Sequence, residues 1–175
     1  MIYYQDEKCT VRRMIETDPE VICREEIAQG WHATEEKYKT RLADDRAGKS
    51  IALVAEYEGQ AAGYINIYLN AVEVDGKRYD ELVDFGVLEK FRRRGIGTIL
   101  MDTAEQIVSE TGDTVYLEVG LHNGYGAAQR MYVKRGYIPD GQGVLYKGEV
   151  CLPYHSCRND DDLTLRFSKQ LKQGR

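Results

Sequence analysis

The chain has 175 residues, a length that fits one domain and is long enough to bury a real core. Hydrophobic residues make up 42% and charged residues 30%, the mix of an ordinary globular chain, which argues against disorder and against a collagen-like repeat. Basic residues number 24 against 29 acidic ones, for a net charge of −5, so a generally basic surface for nucleic acid is not expected.

No apolar run approaches the roughly 18 residues of a membrane helix. The start, Met1-Ile2-Tyr3-Tyr4-Gln5-Asp6-Glu7-Lys8, lacks the basic-then-apolar order of a signal peptide. Cys9, Cys23, Cys151 and Cys157 form no CxxC pair. The expectation is a cytoplasmic chain with free thiols and no membrane partner. Cys151, His155 and Cys157 are tightly spaced, but the spacing matches no usual zinc pattern and a fourth ligand is missing, so no metal is expected.

Cys9 to Ile15 reads as an edge strand. Asp18-Pro19-Glu20 then predicts a helix start, with Asp18 as the N-cap, Pro19 in the first turn and an acidic residue behind it. That helix runs toward Gly30. A second begins at Thr34-Glu35-Glu36 and ends near Gly48. The period then switches to two: 51–57 and 63–69 predict a hairpin about Glu58-Gly59, and Asp75-Gly76 marks a further turn. Leu82-Val83-Asp84-Phe85-Gly86-Val87-Leu88 is nearly continuous in apolar character and suits a central strand. Ile99, Leu100, Ala104, Ile107 and Val108 recur at helical spacing up to Gly112. A strand at 115–119, a helix from Ala128 to Gly136 and strands at 144–146 and 163–167 complete an α/β (α+β) order with no internal linker. Residues 1–175 are therefore expected to form a single domain.

The most informative stretch is Phe91-Arg92-Arg93-Arg94-Gly95-Ile96-Gly97-Thr98, which joins the central strand to an amphipathic helix. Two glycines allow a tight turn. A helix start offers unpaired N–H groups and partial positive charge, the elements of a phosphate cradle. A solvated strand-to-helix turn is the plainer alternative. A Walker loop is absent, and a dinucleotide fingerprint is weakened because Gly95-Ile96-Gly97-Thr98-Ile99-Leu100 has no third glycine, although Glu118 supplies an acidic residue downstream. Charge is divided in keeping with a cradle: residues 87–97 carry a local +3, leaving −8 for the rest.

Arg92-Arg93-Arg94-Gly95-Ile96-Gly97 matches the R/Q-x-x-G-x-G/A signature, and the chain here resembles the GNAT family of N-acetyltransferases. Tyr132-Val133-Lys134-Arg135-Gly136-Tyr137 matches that family's later helix, with a tyrosine four residues before a Gly-aromatic pair. The element order fits nearly the whole chain. The resemblance implies a mixed, mostly antiparallel sheet splayed between two parallel strands, at 82–88 and 114–119, and flanked by about four helices. It implies acetyl-CoA as co-substrate, with the pyrophosphate on Arg92, Arg93, Arg94, Gly95, Ile96, Gly97 and Thr98. It also implies the pantetheine arm and the acetyl carbonyl beside Phe85, Gly86 and Val87, with Gly86 allowing close approach. The family often has an asparagine at the place where Tyr125 stands here. Asn123, two residues earlier, is carried over as a CoA contact.

Direct transfer needs a base for the amine and an acid for the leaving thiolate. The resemblance makes Tyr132 the acid, against the alternative of a core tyrosine. Glu81, Asp84 and Glu118 are the candidate bases, with a water-mediated base as a fourth possibility. Strand alternation sets Glu81 on the face of Val83, Phe85 and Val87, and Asp84 on the other. His122 follows the second splayed strand and is a weaker candidate. Trp31 and Tyr38 either line the acceptor side or pack beneath the first helices. Asp160-Asp161-Asp162 either gathers a cationic substrate or is a solvated loop. The expected acceptor is a small cationic amine, polyamine-like or aminoglycoside-like. The alternatives are a protein or peptide amino group, or a non-catalytic acyl-CoA sensor. A homodimer is possible, and no nucleic-acid partner is expected.

Overall fold

The computed structural model describes residues 1–171. One nine-stranded sheet runs through it, in the order β1-β2-β3-β4-β5-β6-β9-β7-β8. The strands are β1 (Ile2–Gln5), β2 (Cys9–Arg13), β3 (Ser50–Tyr57), β4 (Gln60–Val74), β5 (Lys77–Val87), β6 (Thr114–Gly120), β7 (Ile138–Tyr146), β8 (Glu149–Val150) and β9 (Leu163–Gln170). The helices are α1 (Asp18–Ala28), α2 (Glu35–Arg46), α3 (Ile96–Ser109) and α4 (Gly126–Lys134). Every neighbouring pair is antiparallel except β5 and β6, which run parallel.

The sheet has a core on each face. Leu53, Ile65, Ile67, Leu82, Leu117 and Val119 pack with Leu100, Met101 and Ala104 of α3. Ala52, Val54 and Tyr64 pack on the other face with Ile22 of α1 and Tyr38 and Leu42 of α2. β3 supplies both cores, which explains its unbroken apolar run. Each such buried aliphatic side chain contributes roughly 1.5–3 kcal/mol.

Two predicted details differ. The edge strand is β1, and Cys9–Arg13 lies inside it, paired to β1 and β3. β1, at four residues, is too short to show a period. Asp18 is not the N-cap of α1. Thr17 holds that position, while the buried Asp18 carboxylate accepts from Arg12 at 2.7 and 2.9 Å and from the Ile15 N–H at 2.7 Å. A nearby guanidinium offers a buried carboxylate more than a helix end does.

Candidate active site

The parallel pairing of β5 and β6 is short: Asp80 faces Val115, Glu81 faces Tyr116 and Leu82 faces Leu117, and there it stops. Beyond that rung β5 stays with β4 and β6 stays with β9, so the two parallel strands diverge and leave an opening. This is the splay expected between 82–88 and 114–119. Leu88 donates its N–H to Ala62 of β4 at 2.9 Å. Alternation then turns the N–H groups of Phe85 and Val87 the other way, into the opening.

A β-bulge interrupts β5 here. Tyr64 pairs with Gly86 and Asn66 with Val83, so Ile65 opposes both Asp84 and Phe85. Asp84 has φ 53°, left-handed and rare for a non-glycine residue. The extra residue overturns the predicted faces. Phe85 and Val87 lie against Gly97 on the α3 face. Glu81 pairs with Tyr68, whose hydroxyl bonds Arg41 and Asp44 of α2, and Asp84 reaches Lys37 and Arg41 of the same helix. Glu81 and Asp84 thus share the α2 face.

The three candidate bases differ in their surroundings. Glu118 accepts from Arg166 at 2.7 and 3.2 Å and from Thr164 at 2.9 Å. Asp84 holds Arg41 at 2.6 Å and Lys37 at 3.2 Å. Glu81 has no hydrogen-bond partner among the described residues. Burial first, and the Glu118 charge second, push its carboxyl up to about 7 against a smaller opposing effect of Arg166.

Gly95 is the residue before α3, with φ 80°, and Arg93 is left-handed at φ 61°. The first backbone bond of α3 runs from Ile99 N–H to Gly95 carbonyl, at 3.0 Å. The N–H groups of Arg93, Arg94, Gly95, Ile96, Gly97 and Thr98 have no acceptor among the described residues. Six consecutive unpaired donors at a helix start fit the phosphates of a CoA-type ligand. The arginine side chains do not converge. Arg92 lies over Trp31 at 5.3 Å and Arg94 over Tyr57 at 5.0 Å. A cavity of about 480 Å³ beside the cradle is lined by Thr98 of α3 and by Ala127, Arg130, Met131, Lys134 and Arg135. Arg130 and Lys134 escaped the sequence reading, although their i, i+4 spacing on one helix face was available as a signal.

Gly86 is also required within the fold. A Cβ there would lie 2.7 Å from both Cζ and the hydroxyl oxygen of Tyr64. Tyr64 and Tyr38 both donate to the buried carboxylate of Glu26, so the ring cannot step aside. Gly86→Ala is expected to destabilise the fold by about 1–3 kcal/mol, read as a lower urea midpoint; an unchanged midpoint would show that Tyr64 yields.

Tyr132 is 7% exposed and packs edge-on to Tyr137, with ring centroids 5.8 Å apart. Its hydroxyl has no hydrogen-bond partner among the described residues, and burial pushes its pKa up to about 12. Asn123 is exposed in a single 3-10 turn, 123–125, capped by the His122 side chain. His122 and the Tyr125 hydroxyl both reach Asp161 at 2.9 Å. Asp161 is therefore occupied within the protein, and His122 and Tyr125 hold its carboxyl below the usual range. Tyr38 of α2 is fully buried against α1 and the sheet, so it packs and does not line the acceptor side. Among the described residues no three His, Cys, Asp or Glu side chains cluster as a metal site, and no helix is long and apolar enough to cross a membrane.

Comparison with known proteins bears on this geometry. The chain is 35% identical over 72 residues to an uncharacterized N-acetyltransferase of Chlorobaculum tepidum, covering 41% of this chain and 43% of that one. It is 35% identical over 92 residues to an N-alpha-acetyltransferase of Sulfurisphaera tokodaii, covering 48% and 54%. The chain thus spans about half the length of the curated relatives it matches. Its fold resembles an acetyl transferase of Salmonella typhimurium that modifies the N-terminal serine of 50S ribosomal subunit protein L7/L12, with a TM-score of 0.72, 11% identity and coverage of 98% and 100%. The model of the acetyltransferase (GNAT) family matches residues 14–137, which takes in the bulge, the opening, the cradle and Tyr132, and the chain belongs to that family.

Proposed function

We propose that this chain, acting as one catalytic domain over residues 1–175, moves the acetyl group of acetyl-CoA directly to an amine, with Glu81 as the base. The observation that carries this is Glu81 itself. Among the described residues it is the one candidate carboxylate on the α2 face without a cation partner, it stands on the last shared rungs before the opening, and burial pushes its carboxyl up to about 7. A base poised near the working pH is the most effective.

The residues present fit acetyl-CoA. The N–H groups of 93–98 take the pyrophosphate, Arg93, Arg130 and Lys134 add positive charge, and Asn123 lies at the rim. When bound, acetyl-CoA supplies an activated thioester. Phe85 and Val87 N–H donate to its carbonyl, a fixed oxyanion site that needs no reorganisation. Glu81 takes the acceptor's proton. Tyr132 would lie toward the departing sulfur. A phenol near 12 is a weaker acid than a thiol near 8.5, so Tyr132 acts chiefly by donating a hydrogen bond as sulfur gains charge. Tyr132→Phe is expected to lower kcat on the order of 10²-fold with the acetyl-CoA Kd nearly unchanged; full activity would remove Tyr132 from the mechanism.

The favoured acceptor is a protein α-amino group. α1 and α2 pack chiefly over β3 and β4, leaving the half-buried Glu118 and Arg166 beside Glu81 for an extended chain, above the buried Tyr116. The relative named for N-alpha-acetylation and the neighbour that modifies a ribosomal amino terminus support the same class. The test has two stages. Thermal shift should show stabilisation by acetyl-CoA and CoA but not by NAD or ATP; no shift with any CoA species would sink the proposal. CoA release is then expected with peptides bearing free amino termini. Release only with polyamines or aminoglycosides would move the acceptor to the small cationic class, and silence across both panels would leave an acyl-CoA sensor.

A further inference from the structure

We propose that Asp84 is a positioning residue for acyl transfer: its carboxylate, gripped by two cations of α2, holds the β5 bulge so that the N–H groups of Phe85 and Val87 enter the opening. The inference rests on the acetyl-transfer reading above and adds a residue whose role there is mechanical.

The argument begins with the backbone. Asp84 sits inside a strand at φ 53°. A left-handed residue inside a strand is strained and persists only where its surroundings over-determine it, and glycine would adopt the conformation freely. The chain keeps an aspartate and surrounds it. Arg41 Nε and Nη2 both lie 2.6 Å from Oδ2, and Lys37 Nζ lies 3.2 Å from Oδ1. Arg41 is fixed in turn. Its Nη1 donates to the Tyr68 hydroxyl at 2.5 Å, its guanidinium lies 5.0 Å from that ring, and the hydroxyl donates to Asp44 at 2.7 Å. α2 therefore holds β4 through Tyr68 and β5 through Asp84. Below the bulge, Tyr64 stands against Gly86 and is held by Glu26 of α1. The strand is gripped on both sides of the point where its faces exchange.

Both Asp84 oxygens carry cation partners, so neither is free to take the acceptor's proton. A shift of an ångström at the bulge would misdirect the two N–H groups while leaving the cradle at 93–98 intact. The clamp should therefore govern turnover more than cofactor capture.

The experiment uses the full chain with Asp84→Asn, Asp84→Gly, Arg41→Gln and the Asn/Gln double variant. Asn tolerates the left-handed conformation without the charge; Gly removes the strain as well. Both are expected to lower kcat about 10–100-fold, with the acetyl-CoA KM within about twofold and the midpoint of the acidic limb unmoved. The double variant should cost little more than either single one, because the two groups act as a unit. Calorimetry gives a readout free of turnover: wild type should prefer acetyl-CoA to CoA, and Asp84→Gly should lose that preference. Wild-type kcat in Asp84→Gly would overturn the proposal, as would loss of the acidic pH limb in Asp84→Asn or an acetyl-CoA preference that survives in Asp84→Gly. If wild type turns over no amine at all, the acetyl-transfer reading fails, and the acetyl-CoA to CoA affinity ratio still decides the clamp.

Discussion

Glu81→Gln is expected to lower kcat/KM by roughly 10²–10⁴-fold and to flatten the acidic limb of its pH profile. Wild-type activity should rise through about pH 7, where the half-buried Glu81 carboxyl loses its proton. The same group predicts the sign of a stability change. Its folded pKa stands above the ordinary 4.5, so between 4.5 and about 7 the folded chain binds more protons than the unfolded one. The stabilisation is complete below 4.5 and lost as pH rises through 7. Glutamine carries no charge to bury. The variant should therefore be more stable than wild type at pH 8, by up to about 3 kcal/mol, or several degrees in Tm, with a much smaller gain at pH 5. A pH–rate profile and melting curves at the two pH values check both effects. An unmoved midpoint would assign the titration elsewhere.

Gly95→Asp is expected to abolish measurable acetyl-CoA binding while leaving the fold in place. A Cβ at Gly95 meets nothing within 4 Å, so the steric cost is that of φ 80° alone, which aspartate tolerates better than most residues. The added carboxylate would face the phosphates among the unpaired N–H groups of 93–98. Two unit charges 4 Å apart at an effective dielectric near 20 repel by about 4 kcal/mol, close to 10³-fold in affinity. Gly95→Ala separates charge from backbone, and titration calorimetry should find its loss below about tenfold. Tight binding by Gly95→Asp would show that the phosphates lie elsewhere.

The fold and the cradle were legible for a local reason. Ile99, Leu100, Ala104 and Val108 state a helix by their spacing, and Gly95 and Gly97 lie inside the helix start they shape. The alternating 51–57 and 63–69 segments state a hairpin. The faces of β5 were illegible beyond Val83. A bulge needs a partner strand to define it, and nothing near Asp84 in sequence announces that Ile65 will oppose two residues. The choice among Glu81, Asp84 and Glu118 was closed to the sequence as well. The cations that occupy the latter two, Arg41, Lys37 and Arg166, lie 43 and 48 positions away for the two arginines.

The sequence by itself determined the architecture, the family and the place of the helix start proposed to hold phosphates, because each is encoded within a helix, a hairpin or a six-residue loop. Only the tertiary structure decided which of the candidate carboxylates are held by cations, which face each β5 side chain takes, and what Gly86 must avoid. Those outcomes depend on charge neutralisation, register and contact between distant segments, and none of them exists until the sheet has closed around β5.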